Sequence, residues 1–194
     1  MNTYVRLVYR LTDLLGAIAC ALLILLVLMI SYNVIARYVF SLSSISLQEL
    51  SWHFYASIFL LGIPYALRHG AHVRVDVIYD RLSKPRQLLI DFIGTLILLI
   101  PVCLVVIWTG WNFTTAAYQL GSQPSGLGEF FSMLVNEGIG EKSQDPGGLL
   151  NRWIIKLMIP LSFFFLLLTS IAIAIEKLQA YQDGANAIKT GNTR

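Results

Sequence analysis

Four stretches of this chain contain no Asp, Glu, Lys or Arg, at residues 14–36, 50–67, 92–118 and 157–175. A helix needs about 20 predominantly apolar residues to cross a bilayer, because every backbone donor and acceptor in lipid must be satisfied within the segment. The pattern therefore predicts four membrane-spanning helices in one all-α membrane domain over residues 1–194. The first run is longer than the apolar stretch of a secretory leader and is followed by "NVIARYVF", with no small-residue cleavage site. It is read as a retained span.

Ahead of the first run, Tyr4, Leu7, Val8 and Leu11 recur at i, i+3, i+4 and i+7, with Arg6, Arg10 and Asp13 off that stripe. This predicts an N-terminal amphipathic helix resting at the membrane interface. Between the third and fourth runs lies a long connection, residues 119–152, that opens and closes on Gly, Pro and Ser and holds an apolar piece at 130–135. A surface loop with one short helix is expected there. Its acids are Glu129, Glu137, Glu141 and Asp145. They fit either a solvated loop or a docking surface for an external partner.

Composition strengthens the membrane reading. Only 13% of residues are charged against 56% hydrophobic, and the mean hydropathy is +0.68. A soluble domain carries roughly 25% charged residues. Ten of the fourteen Lys and Arg fall at the N-terminus, in the loop after the second span and in the tail. The excess of basic residues predicts that both termini are cytoplasmic and that the 119–152 loop is periplasmic. The net charge of +3 is thus a topology signal and points to no nucleic acid. Cys20 and Cys103 each lie inside a span, where they behave as small apolar residues. They receive no role.

The candidate chemistry is concentrated in "RHGAHVRVDVIYDRL", residues 68–82. His69, His72 and Asp76 could be metal ligands, but alternation of His72, Arg74 and Asp76 with Val73, Val75 and Val77 reads as extended chain, and an Arg among ligands opposes a cation. An acid/base site would need a second group of residues forming a pocket. Two readings remain, a solvated loop that sets topology and a fastening to another subunit. At the other end of the spans, Arg37 closes the first and Glu49 opens the second across a short connection, so an ion pair between them is one expectation and two separately solvated charges the other.

"ARYVF", "LQELSWHFYASIFLLGIPYALRHGAHVRVDVIYDRL" and "IPLSFFFLLL" resemble the small membrane subunit of tripartite ATP-independent periplasmic (TRAP) transporters, the DctQ-like family. The resemblance spans about residues 10–178. It implies a bacterial inner-membrane scaffold subunit that works with a large multi-span subunit, a separate chain here, and a periplasmic substrate-binding protein. The large subunit would carry the solute, usually an organic acid, with sodium ions. No catalytic residue, cofactor or metal site is implied in this chain. The family's motif positions fall on Arg37, Glu49, Trp52, Gly62, Arg68, His72, Arg74 and Asp76, as fold or subunit-interface residues. The long 119–152 loop departs from shorter members and is a candidate contact for the binding protein.

An independent physical point favours a scaffold. The centres of all four runs lack Asp, Glu, Lys, Arg and His, whereas carriers place functional polar groups near the bilayer midplane. The competing reading is a self-contained four-helix channel, or a metal- or haem-binding membrane enzyme using His53, His69 and His72.

Overall fold

The computed structural model describes residues 3–70, 87, 90 and 93–189. All regular structure among them is helical: α1 (Thr3–Phe40), α2 (Ile45–Arg68), a π-helical turn (Thr95–Leu99) leading into α3 (Ile100–Gln119), α4 (Leu127–Asn136) and α5 (Trp153–Lys189). Four helical segments, Thr3–Phe40, Ile45–Arg68, Ile97–Gln119 and Trp153–Gln179, are long and apolar enough to cross a membrane.

The hairpin of α1 and α2 follows from its connection. Ser41 adopts a left-handed φ of 54°, the Leu42 N–H reaches back to Ala36 O at 3.0 Å, and Ser44 caps α2 by accepting from Leu47 N at 3.4 Å. With only residues 41–44 between them, the helices must run antiparallel as neighbours. Gly16 lets them approach closely: a Cβ there would collide with the Tyr65 ring. Gly110 does the same for α3 and α5, where a Cβ would come within 3.1 Å of Pro160 Cδ. Small residues at such crossings replace the hydrophobic drive that lipid does not supply.

Helix α5 packs against α1, α2 and α3 and is the centre of the bundle. Val5, Val8 and Ala172 form one buried cluster, and Leu15, Ala19 and Leu61 a second, joined by Phe165. Two hydroxyls inside the bundle are satisfied within their own helices: Thr12 donates to Val8 O at 2.9 Å and Thr169 to Phe165 O at 2.8 Å. The two oxygens lie 3.1 Å apart across the α1–α5 contact. Ser162 of α5 donates to Leu60 O of α2. Most large apolar side chains point outward instead, among them Ile24, Leu28, Ile97 and Trp108. In water such a surface would aggregate; in lipid it is the ordinary exterior.

Two expectations change. The N-terminal stretch is the opening of α1 rather than a separate helix on the membrane surface, and its buried positions are Val5, Val8 and Thr12, while Leu7 and Leu11 point outward. The apolar surface of α5 at Ala172 competes for that stretch and wins. Second, α1 and α5 run past the apolar runs at both ends, because intrahelical hydrogen bonds continue as readily in water as in lipid. Pro101 lies in the first turn of α3, just after the π-helical turn, where its missing donor costs little; Pro64 and Pro160 sit inside α2 and α5. The extended stretch expected at 72–77 lies outside the described residues, as do His72, Arg74 and Asp76.

Candidate functional site

The motif residues that the structure describes, Arg37, Glu49, Trp52, Gly62 and Arg68, occupy two ends of the bundle and one outer face. At the end where α1 turns into α2, Glu49 is the anchor of the long loop. Its carboxylate accepts from the Ser143 hydroxyl at 2.5 Å and from Leu149 N at 2.7 Å. The loop closes on itself beside these contacts, with Ser143 N donating to Leu149 O at 2.9 Å, and Ser46 of α2 donates to Gly147 O. Gly148 is needed there, since a Cβ would strike the Ser143 side chain. Hydrogen bonds to a charged acceptor are the strong kind.

The same loop is stitched to the other two helix ends. Glu141 N donates to Ala117 O at 2.8 Å, and its carboxylate pairs with Lys156, whose ammonium also lies 4.1 Å from the Phe113 ring centre. Asn151 accepts from Ile139 N at 2.7 Å and donates to Leu134 O at 2.8 Å. Gly140, at φ 69°, passes so near α3 that a Cβ would be 2.7 Å from Ala117 O. Residues 137–152 are thus an ordered cap rather than a free loop.

The expected ion pair between Arg37 and Glu49 is not formed. Glu49 turns to the cap, which the sequence places about a hundred positions away, while Arg37 lines an open groove of about 390 Å³ between α1 and α2. Gln48, Ser51, Trp52 and Tyr55 line the same groove. The carboxylate does better with donors fixed by the cap backbone than with a long cation that would have to be immobilised at solvent-exposed cost.

Trp52 is 67% exposed and continues down one face of α2 through Tyr55 and Phe59 to Gly62, at helical spacing. Among the described residues, a Cβ on Gly62 would meet nothing within 4 Å, so this glycine is not required by their packing. The face is open.

At the opposite end, Arg68 joins three helices. Its guanidinium pairs with Asp13, donates to Tyr9 O at 2.6 Å and lies 4.5 Å from the Tyr9 ring centre. Tyr9 in turn donates to Glu176 of α5. His69 Nε2 is 3.5 Å from Asp13 Oδ1, and its ring lies 4.3 Å from that of Tyr65. Sequence reasoning singled out Arg68 but missed Asp13, Tyr9 and Glu176 as its partners; Asp13, an acid just before an apolar run, was the one available signal.

Of the three histidines in the metal and haem reading, the described residues include His53 and His69, and His72 lies outside them. His53 lies within α2 and His69 is the residue that caps its end, sixteen positions on, roughly 24 Å at 1.5 Å per residue. His53 Nδ1 is engaged with Glu49 O at 2.7 Å. Among the described residues no three His, Cys, Asp or Glu side chains group closely enough to hold a metal ion.

This arrangement fastens helices and leaves one face of α2 exposed. The family model described as "Tripartite ATP-independent periplasmic transporters, DctQ component" matches residues 26–180, a stretch covering α2, α3, α4, the C-terminal part of α1 and most of α5. No curated relative matches the chain. The family is one of transporter subunits rather than enzymes, and it works with a large membrane component and a substrate-binding protein. A helical bundle with four segments able to cross a membrane, matched over most of its length to that family, belongs to the DctQ small membrane subunits of TRAP transporters.

Proposed function

We propose that this chain is the fixed scaffold of a bacterial inner-membrane importer for an organic acid. The solute and sodium ions are carried by a large multi-span subunit, and a periplasmic binding protein delivers the solute. The observation that carries this reading is the open face of α2: Trp52, Tyr55, Phe59 and Gly62 have no partner helix among the described residues, and Arg37 flanks them in the groove. Aromatic residues beside a glycine and an arginine are what a helix packing from another subunit uses. The large subunit docks there. His72, Arg74 and Asp76 add a second fastening on the cytoplasmic side, and the polar face of the 137–152 cap meets the binding protein.

The absence of Asp, Glu, Lys, Arg and His from the centres of the four apolar runs supports a chain that does not carry solute itself. The test is to tag this chain in its native membrane, extract it in mild detergent and identify its companions. Recovery with a large multi-span protein is expected. Recovery alone or as a homo-oligomer overturns the proposal. Alanine at Arg74 or Asp76 is expected to reduce complex recovery and transport together, and normal recovery with either change removes those residues from the interface.

A further inference from the structure

We propose that α4 is a foot on the membrane surface, with Leu127, Phe131 and Val135 seated in the headgroup boundary of the bilayer. These residues recur at i, i+4 and i+8, so they form one stripe of the helix. They are 82%, 65% and 75% exposed. The flanking sector is already used, since Met133 is buried and Phe130 and Leu134 are partly buried. A third sector carries Gly128, Glu129, Ser132 and Asn136 and is polar. A helix with one side on protein, one apolar and one polar has the surface of an element lying where protein, lipid and water meet.

What selects lipid as the occupant is where the helix is held. The chain leaves α3 at Gln119, forms α4, and returns so that Glu141 N binds Ala117 O at 2.8 Å in the last turn of α3. Asn151, two residues before α5 begins, holds Leu134 O in the last turn of α4 and Ile139 N just beyond it. The helix is therefore pinned to the turns at which both α3 and α5 leave the apolar zone. Tyr118 and Trp153 meet edge to face there, ring centres 5.3 Å apart, and such aromatics mark the membrane boundary. Leu120, 58% exposed, continues the outward apolar surface of α3 into the connection before α4. The stripe thus prolongs the surface that the spans present to lipid. With no Lys or Arg in α4, the attachment rests on apolar contact and not on attraction to anionic headgroups.

The test uses the full chain carrying Cys20→Ser and Cys103→Ala, with a single nitroxide-labelled cysteine introduced by Leu127→Cys, Phe131→Cys, Val135→Cys or Ser132→Cys. Each is reconstituted into phosphatidylcholine vesicles, and collision with oxygen is compared with collision with a water-soluble nickel chelate. The proposal expects oxygen to dominate at 127, 131 and 135 and the nickel chelate to dominate at 132. Addition of phosphatidylglycerol should leave that order unchanged. Nickel dominance along the stripe places it in water and overturns the proposal. Shielding from both reagents at the stripe places it against protein and overturns it equally. The three stripe positions are read independently, so failure of one variant to fold leaves two.

Discussion

Single residues hold the two ends of this bundle, and each does so with geometry its neighbours supply. Glu49 stabilises the cap because both oxygens meet donors fixed in position by the loop. Glu49→Ala is expected to leave the Ser143 hydroxyl and Leu149 N–H without their acceptor, at a cost of about 1–3 kcal/mol. Limited proteolysis should then cut within residues 137–152 faster than in the native chain, with the spans intact. Because Arg37 and Glu49 are engaged separately, the exchange Arg37→Glu with Glu49→Arg should rescue neither single defect, and the two effects should add. Rescue by the double exchange, read as cap protection, would show that they do pair. Gly140→Ala is expected to be worse than an ordinary loop substitution. Its φ of 69° and the 2.7 Å approach to Ala117 O penalise any side chain.

Elements are joined at a few crossings, which makes their contributions separable. Arg68 bridges α1 and α2 directly and reaches α5 through Tyr9 and Glu176. Asp13 is half exposed, so the ion pair itself contributes little, and most of the loss in Arg68→Ala should come from the 2.6 Å bond to Tyr9 O and the ring contact. A loss of about 1–2 kcal/mol is expected, read as lower thermal stability in detergent. Arg68→Lys should recover only part, because an ammonium cannot pair, donate and stack on one plane together. At the α1–α2 crossing, Gly16→Ala should weaken the hairpin by driving a methyl into Tyr65, and Tyr65→Ala in the same chain should relieve it. Equal stability of Gly16→Ala and the native protein would mean the helices can separate there at no cost.

At the scale of the molecule, the division between ends and middle decides what the protein can do. The charged contacts lie at the helix ends, the spans show lipid an apolar exterior, and one face of α2 is open beside Arg37. Trp52→Ala and Gly62→Leu should therefore lower recovery of the large subunit while leaving the thermal stability of the isolated chain nearly unchanged. A matching fall in stability would mean that these residues serve the bundle itself. This prediction separates the scaffold reading from a self-contained channel, in which the same face would join like subunits.

Number and approximate placement of the spans were legible in the chain because a bilayer imposes a one-dimensional rule: enough consecutive apolar residues, with no charge among them. The short helix in the long connection was legible for a similar reason, through its local apolar run. The motif residues that resemble the DctQ family were readable as a pattern of residue types at fixed spacing. Their partners were not. Glu49 meets Leu149 and Ser143, Arg68 meets Tyr9 and Asp13, and Val8 meets Ala172, pairings that span roughly 55 to 165 positions and leave no periodic trace. The N-terminal stretch had an amphipathic pattern that suits a membrane surface as well as a helix neighbour, and the groove for it on α5 existed only once the bundle had formed. Local physics determined which segments are helices in a membrane. Which carboxylate faces which donor depended on where the folded chain brought distant backbone groups, because a hydrogen bond is set by position and direction in space rather than by distance along the sequence.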